Sequence, residues 1–394
     1  MIPGAARTID NIPGRAKPFR TSGGTAANPF EPIFPMRIRK LLLIVVVLVA
    51  VVLIYLFTWP VPVTPVAWTA PAAPALEGVY AQNSKLAAIE RLNLPNGFGP
   101  EDVAIDSEDR IYCGVADGRL MRFQVDGTRP EVFANTNGRP LGLVFDSPGN
   151  LIVADAIKGL LSIDRSGNVN TLSTEAGGLP FHCTNDLDIA KDGTIYFTDA
   201  SSRFSLTELK ADIVEHRGNG RLLAYDPIGK TTRVVLGDLV FANGVAVSPD
   251  GSFLLVVETG AYRVHRVWLN GPKQGQSEIF IDNLPGFPDG ISSNGRDTFW
   301  LALVTPRDKV LDSLMPHPFL RKAVLRLPDF LQPAIKRYGF ALGLDVTGRV
   351  TYNLQDGSPQ CFAQVANVVE HKDKLYFGSI GEAAIGRLPL SAAR

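Results

Sequence analysis

Cysteine is scarce in this chain: Cys113, Cys183 and Cys361 are the only three in 394 residues. That excludes a disulfide-stapled scaffold and leaves room for at most one internal pair. Charge bias is absent too. Thirty-nine basic residues balance 39 acidic ones, so no global field favours nucleic acid. Long helical patterns are rare beyond Leu76, and short β-rich runs alternate with Asp/Gly turns instead. No nucleophile elbow, phosphate loop or histidine-based zinc motif is present.

What is present begins with one apolar run. Residues 1–40 are rich in Pro, Gly, Thr and Ala, with seven basic residues against two acidic, and read as a flexible tail. Leu41 to Trp59 then carries no charge. Nineteen helical residues at about 1.5 Å each approach the roughly 30 Å of a hydrocarbon core. Tyr55 and Trp59 suit the far interface. The basic flank predicts a single-pass anchor with a cytoplasmic N-terminus and the rest extracytoplasmic. The alternative is a cleavable signal peptide, with Ala70-Pro71-Ala72 as a small-residue cleavage pattern. Residues 60–75, with Pro60, Pro62, Pro65, Pro71 and Pro74, read as an extended stalk.

Residues 76–394 repeat. Glu101, Leu141, Asn185, Asn243, Asp289 and Val365 each open a short apolar strand. Eight residues later stands a turn residue, Asp109, Gly149, Gly193, Gly251, Asp297 or Asp373, before a second apolar strand. Third strands are expected at Gly118, Gly159, Gly220, Arg263, Gly348 and Gly386. A spare strand near Leu86 to Leu92 can complete the last unit and close a ring. The pattern predicts an all-β fold, a six-bladed β-propeller. The third and fifth units carry insertions between second and third strands. The fifth, at about 305–340, has helical apolar spacing broken by prolines. It reads as a helical lid over the channel, as plain packing, or as a segment dipping into lipid.

Four of the six strand openings bear oxygen: Glu101, Asn185, Asn243 and Asp289. Facing one axis, two carboxylates and two amides form a hard, all-oxygen set that suits Ca²⁺. Zn²⁺ would prefer His and Cys, and capping of strand ends is the bland alternative. His182 and Cys183 lie just before Asn185. His182 is a candidate proton shuttle; Cys183 has no partner base. Phe241 and Phe287 fit a substrate rim or packing between blades.

Asn185-Asp186-Leu187, Ile195-Tyr196-Phe197-Thr198-Asp199, Gly220-Arg221-Leu222-Leu223, Asn243-Gly244-Val245 and Gly286-Phe287-Pro288-Asp289 resemble the strictosidine synthase-like family, as do Glu370-His371 and Leu375-Tyr376-Phe377-Gly378-Ser379. More distantly, the chain is similar to the gluconolactonase and senescence marker protein group and to the paraoxonases. The resemblance implies a six-bladed propeller, and Ca²⁺ held by residues matching Glu101, Asn185, Asn243 and Asp289. It also exposes departures. The glutamate of strictosidine synthase falls at about Ala366, the paraoxonase histidine at Leu141, and the gluconolactonase arginine at Cys183. Strictosidine synthesis is therefore argued against. The expectation is a membrane-anchored, Ca²⁺-dependent hydrolase of small apolar or aromatic esters or lactones, with Asp289 as base and His182 in reserve. The rival expectation is a binding or signalling propeller with a structural ion.

Overall fold

The computed structural model describes residues 36–394; most of the expected basic tail lies outside them. The chain divides into a unit ending at Leu53 and a second running Ile54–Arg394. Helix α1, Met36–Thr58, starts ahead of the apolar run and takes in Arg37, Arg39 and Lys40. It is long and apolar enough to cross a membrane, a test that a signal sequence also passes.

The second unit is the expected six-bladed propeller: six four-stranded antiparallel sheets, plus a short hairpin at Glu175–Ala176 and Leu179–Pro180. The innermost strands are Val103–Ile105, Pro140–Phe145, Thr184–Ile189, Ala242–Val247, Gly286–Ser293 and Val365–His371. Turns into the second strands use left-handed backbone at Asp109, Gly149, Gly193 and Gly251. In the last two blades that conformation shifts to Gly295 and Lys372. Glu90–Asn93 pairs with Ala384–Pro389, so the first strand of the propeller completes its sixth blade. Leu92 packs there with Val103, Tyr376 and Ile385. Buried aromatic side chains such as Phe253, Phe299 and Phe340 fill the space between blades, each contributing about 2–3 kcal/mol by leaving water.

One strand differs from expectation. The third strand of the fifth blade is Gly339–Asp345, and Val350–Asp356 is its outer fourth strand. Gly348 (φ +91°) sits in the turn between them. Its Gly-Arg-Val motif imitates the third strands that open at Gly118 and Gly159, whose glycines are left-handed as well.

Both insertions are helical. The third blade carries α2, Leu209–Glu215; the fifth carries α3, Lys309–Leu314, and α4, Pro318–Leu325. Asp308 caps α3 by accepting from the Val310 and Leu311 amides. Arg321 of α4 is buried and donates to the Val214 carbonyl at 2.6 Å, joining α4 to α2.

The proline-rich segment does not stand free as a stalk. It runs between the two insertions as a strap. Val66 N–H bonds the Glu215 carbonyl and Trp68 N–H that of Met315. The carbonyls of Pro62, Thr64, Val66 and Pro71 accept from Arg203, Arg217, Arg321 and Arg307. Trp68 stacks on His216 with ring centroids 4.3 Å apart. A proline-rich chain has few N–H donors of its own, so arginine donors recognise it.

Candidate metal and active site

The approach to three of the six strand openings is pinned by an acid at the end of a second strand. Asp155 accepts from Arg139 N–H, Asp199 from His182 and Cys183 N–H, and Glu258 from Val240 N–H. Asp199 is held in turn by Arg221 at 2.7 Å, and Glu258 by Arg263 and His265. These acids fix where Leu141, Asn185 and Asn243 enter the channel.

Just past the openings, the inner strands nearly touch. A Cβ on Gly244 would stand 2.4 Å from Ile291 N, and one on Gly290 2.5 Å from the Ala366 carbonyl oxygen. No such Cβ fits without backbone movement. In the first and third blades the same position holds Asp102 and Asp186, which reach across to the next blade. Asp102 accepts from Leu143 N–H at 2.8 Å and from Asn367 at 2.6 Å. Asp186 accepts from Val245 N–H at 2.9 Å.

Above this floor the expected residues come together. Glu101, Asn185 and Asn243 line one space of about 10 Å³, with Gly290 next to Asp289. That is the size of a single water or ion. Burial raises the pKa of both carboxyls. Asp289 is pushed well up by burial and by the Glu101 charge, with the Asn243 amide opposing. Glu101 is raised by burial and eased by Arg139, whose Nη2 lies 3.4 Å from its carboxylate. Two carboxyls under this pressure, with few donors, form a site short of positive charge.

The amides fit a hard cation. Thr259 gives its hydroxyl proton to the Pro288 carbonyl at 2.7 Å, so toward Asn243 it can only accept. The Asn243 Nδ2 donates to it at 3.2 Å, and the amide also eases the Asp289 carboxyl. Among the described residues no group of three or more His, Cys, Asp or Glu is placed to hold a metal. This set has two such residues and two amides, the donors of an oxygen-loving ion rather than of zinc.

His182 is exposed, and among the described residues its ring has no hydrogen-bond partner. Cys183 is fully buried and its thiol is pushed far up by burial, which removes it as a nucleophile. Phe241 joins Leu141 and Cys183 beneath Leu206, Leu209 and Ile213 of the third-blade insertion, forming an apolar roof. Phe287 packs edge-on against Tyr262 and is interior structure. Asp102, Asp186 and Asp188 lead to a second cavity of about 210 Å³, also lined by Ser292 and His371.

Arg139 and Thr259 escaped sequence reasoning. Both act across blades, on partners that spacing does not reveal. The acids ending the second strands were a usable signal: Val-Ala-Asp155, Phe-Thr-Asp199 and Val-Val-Glu258 recur at one place in the repeat.

Residues 185–272 match the strictosidine synthase family, and residues 78–123 match the strictosidine synthase-like N-terminal family. The chain is 34% identical over 332 residues to strictosidine synthase-like protein 6 of Arabidopsis thaliana, covering 82% of this chain and 86% of that one. It is 33% identical to the adipocyte plasma membrane-associated protein of Rattus norvegicus, over 84% of this chain and 94% of that one. Among solved structures, a gluconolactonase from Xanthomonas campestris superposes with a TM-score of 0.57 at 18% identity, covering 84% and 98% of the two chains. Regucalcin from Agrobacterium tumefaciens, a calcium-binding protein, gives 0.54 at 16%, covering 76% and 93%. The structures share the fold; the sequences go further, holding one-third identity over more than four-fifths of the chain. On that extent of match the chain belongs to the strictosidine synthase-like family.

Proposed function

We propose that this protein is a membrane-anchored hydrolase of esters or lactones, with Ca²⁺ held by Glu101, Asn185, Asn243 and Asp289. The observation that carries the reading is a space the size of one ion lined by Glu101, Asn185 and Asn243, with Asp289 near enough to feel the Glu101 charge and the Asn243 amide. Bound there, the ion would polarise a substrate carbonyl and offset charge on its oxygen. Asp289 would take the proton of an attacking water. Arg139 would steady Glu101. The roof of Leu206, Leu209 and Ile213 favours an apolar or aromatic acyl group and must move to admit it. Exposed His182 stays a reserve proton carrier at the mouth. Anchoring by α1, with the propeller extracytoplasmic, follows from its length and basic N-terminal flank. Relatives named for the plasma membrane agree with an anchor.

The test is turnover of aryl acetates and aliphatic lactones by the full-length protein, with Ca²⁺ and after chelation. Asp289→Asn should lower kcat by about 100-fold or more, in the range of general-base loss, in a protein that still folds. Activity indifferent to both chelation and Asp289 would reject the mechanism. A second reading, a binding propeller with a structural ion, is favoured by Leu141 and Ala366 standing where relatives carry a base. Its mark would be a Ca²⁺-loaded protein inert toward the whole substrate panel.

A further inference from the structure

The fifth-blade insertion leaves large apolar side chains bare. Val310, Phe319, Phe330, Leu331 and Ile335 are each more than half exposed, Phe330 at 84%. All five belong to the one insertion between the second and third strands of that blade. Lys336 pairs with Asp308 at 3.1 Å, drawing Ile335 toward Val310. Four basic residues outside the buried core, Lys309, Lys322, Lys336 and Arg337, share this insertion with the tips. Burying no partner, such a patch is costly in water.

Its occupant is indicated by what the lid holds. Arg326, at the end of α4, donates Nε to the Trp59 carbonyl and Nη1 to that of Leu56, both at 2.6 Å. Tyr55 donates its hydroxyl to the Arg326 carbonyl at 3.3 Å. Phe319 stacks on Phe57, ring centroids 4.9 Å apart. Residues 55–59 are where the apolar helix ends, and they belong to the same compact unit as the lid. The bare face is therefore bonded to the point at which the chain would leave a bilayer.

We propose that this face of the lid seats in the headgroup and upper acyl region of the bilayer that holds α1. Aromatic and aliphatic tips sharing a segment with Lys and Arg are the composition of interfacial segments, which bury about 5–10 Å into that boundary. These basic residues would favour anionic headgroups. The lid lies at the channel end where Glu101 and Asp289 open, so that end would face the leaflet. A substrate dissolved among lipids would then reach the mouth without crossing water. The inference rests on the anchoring reading and is independent of the hydrolase reading.

The native cysteines are all buried, so one added surface cysteine takes a label cleanly. Full-length protein is reconstituted into phosphatidylcholine vesicles with an environment-sensitive fluorophore at Phe330→Cys or Ile335→Cys. Ile228→Cys is the control: Ile228 is 91% exposed, in a third-to-fourth-strand turn on the opposite propeller face. Nitroxide-labelled phosphatidylcholine, with the spin label high on the acyl chain, is the quencher. Quenching at the lid positions should exceed the control at least about twofold, as expected for side chains within the headgroup boundary. Vesicle-bound protein with equal quenching at lid and control overturns the inference while leaving the anchor in place. Failure to float with vesicles overturns the anchor, and the lid seating with it.

Discussion

The direction of the Asn243 amide is decided by one hydroxyl. Because Thr259 spends its proton on the Pro288 carbonyl, Asn243 must turn its nitrogen to Thr259. Single side chains settle other features in the same way. His216 caps α2 in the left-handed conformation (φ +54°), its Nδ1 has no partner, and Trp68 covers its ring. Burial, then the nearby Arg321 charge, lowers its pKa to about 4, against a weaker opposing pull from Glu258. The unfolded chain takes up this proton near pH 6.5 and the folded protein only near 4. Stability is therefore intact above pH 6.5 and lost as pH falls through that window, by about 3 kcal/mol. His216→Asn keeps a residue tolerant of positive φ and removes the titration. Thermal melts from pH 7 to 4 should show the wild type losing more stability than the variant. Parallel curves would mean that folding leaves the His216 pKa unshifted. Nothing in the sequence around His216 announced this. Its partners, Trp68 and Arg321, are distant in the chain and meet only through the strap.

At the scale of elements, the blades were legible and their decorations only partly so. An apolar strand, a turn eight residues on and a second apolar strand recur because each blade needs the same local backbone. Local chemistry encodes that directly. The fifth blade misled at Gly348, since a turn glycine before a strand looks alike wherever it falls. The helices of the lid were readable from apolar spacing. The strap was not: its prolines correctly predict extended backbone, while its docking depends on Arg203, Arg217, Arg307 and Arg321, placed by four separate loops or helices. Arg321 is the sharpest test. It is 1% exposed and serves the Val214 and Val66 carbonyls together. Arg321→Ala leaves both unpaired, a loss of about 1–3 kcal/mol for each buried group. Amide hydrogen exchange at Val66 and Trp68 should speed up by at least about tenfold, the equivalent of 1.4 kcal/mol. Unchanged exchange there would show that the strap is held by other contacts.

For the whole molecule, ring closure converts six remote strand openings into one site. The strand Glu90–Asn93 locks the last blade to the first. Gly142, Gly244 and Gly290 let inner strands crowd the axis, and Asp102 and Asp186 stitch them. That much of the site was visible in sequence, because symmetry forces residues at one repeat position to face one axis. Arg139 beside Glu101 was hidden, since only closure brings them together. The account turns on those openings sharing a cation. Isothermal titration of full-length, chelator-stripped protein with Ca²⁺ measures this most directly, beside Glu101→Gln and Asp289→Asn. The account predicts that the wild type binds an equivalent of Ca²⁺ which either substitution weakens by at least about tenfold, or 1.4 kcal/mol. Ca²⁺ binding absent from the wild type, or equally tight in both variants, would contradict it.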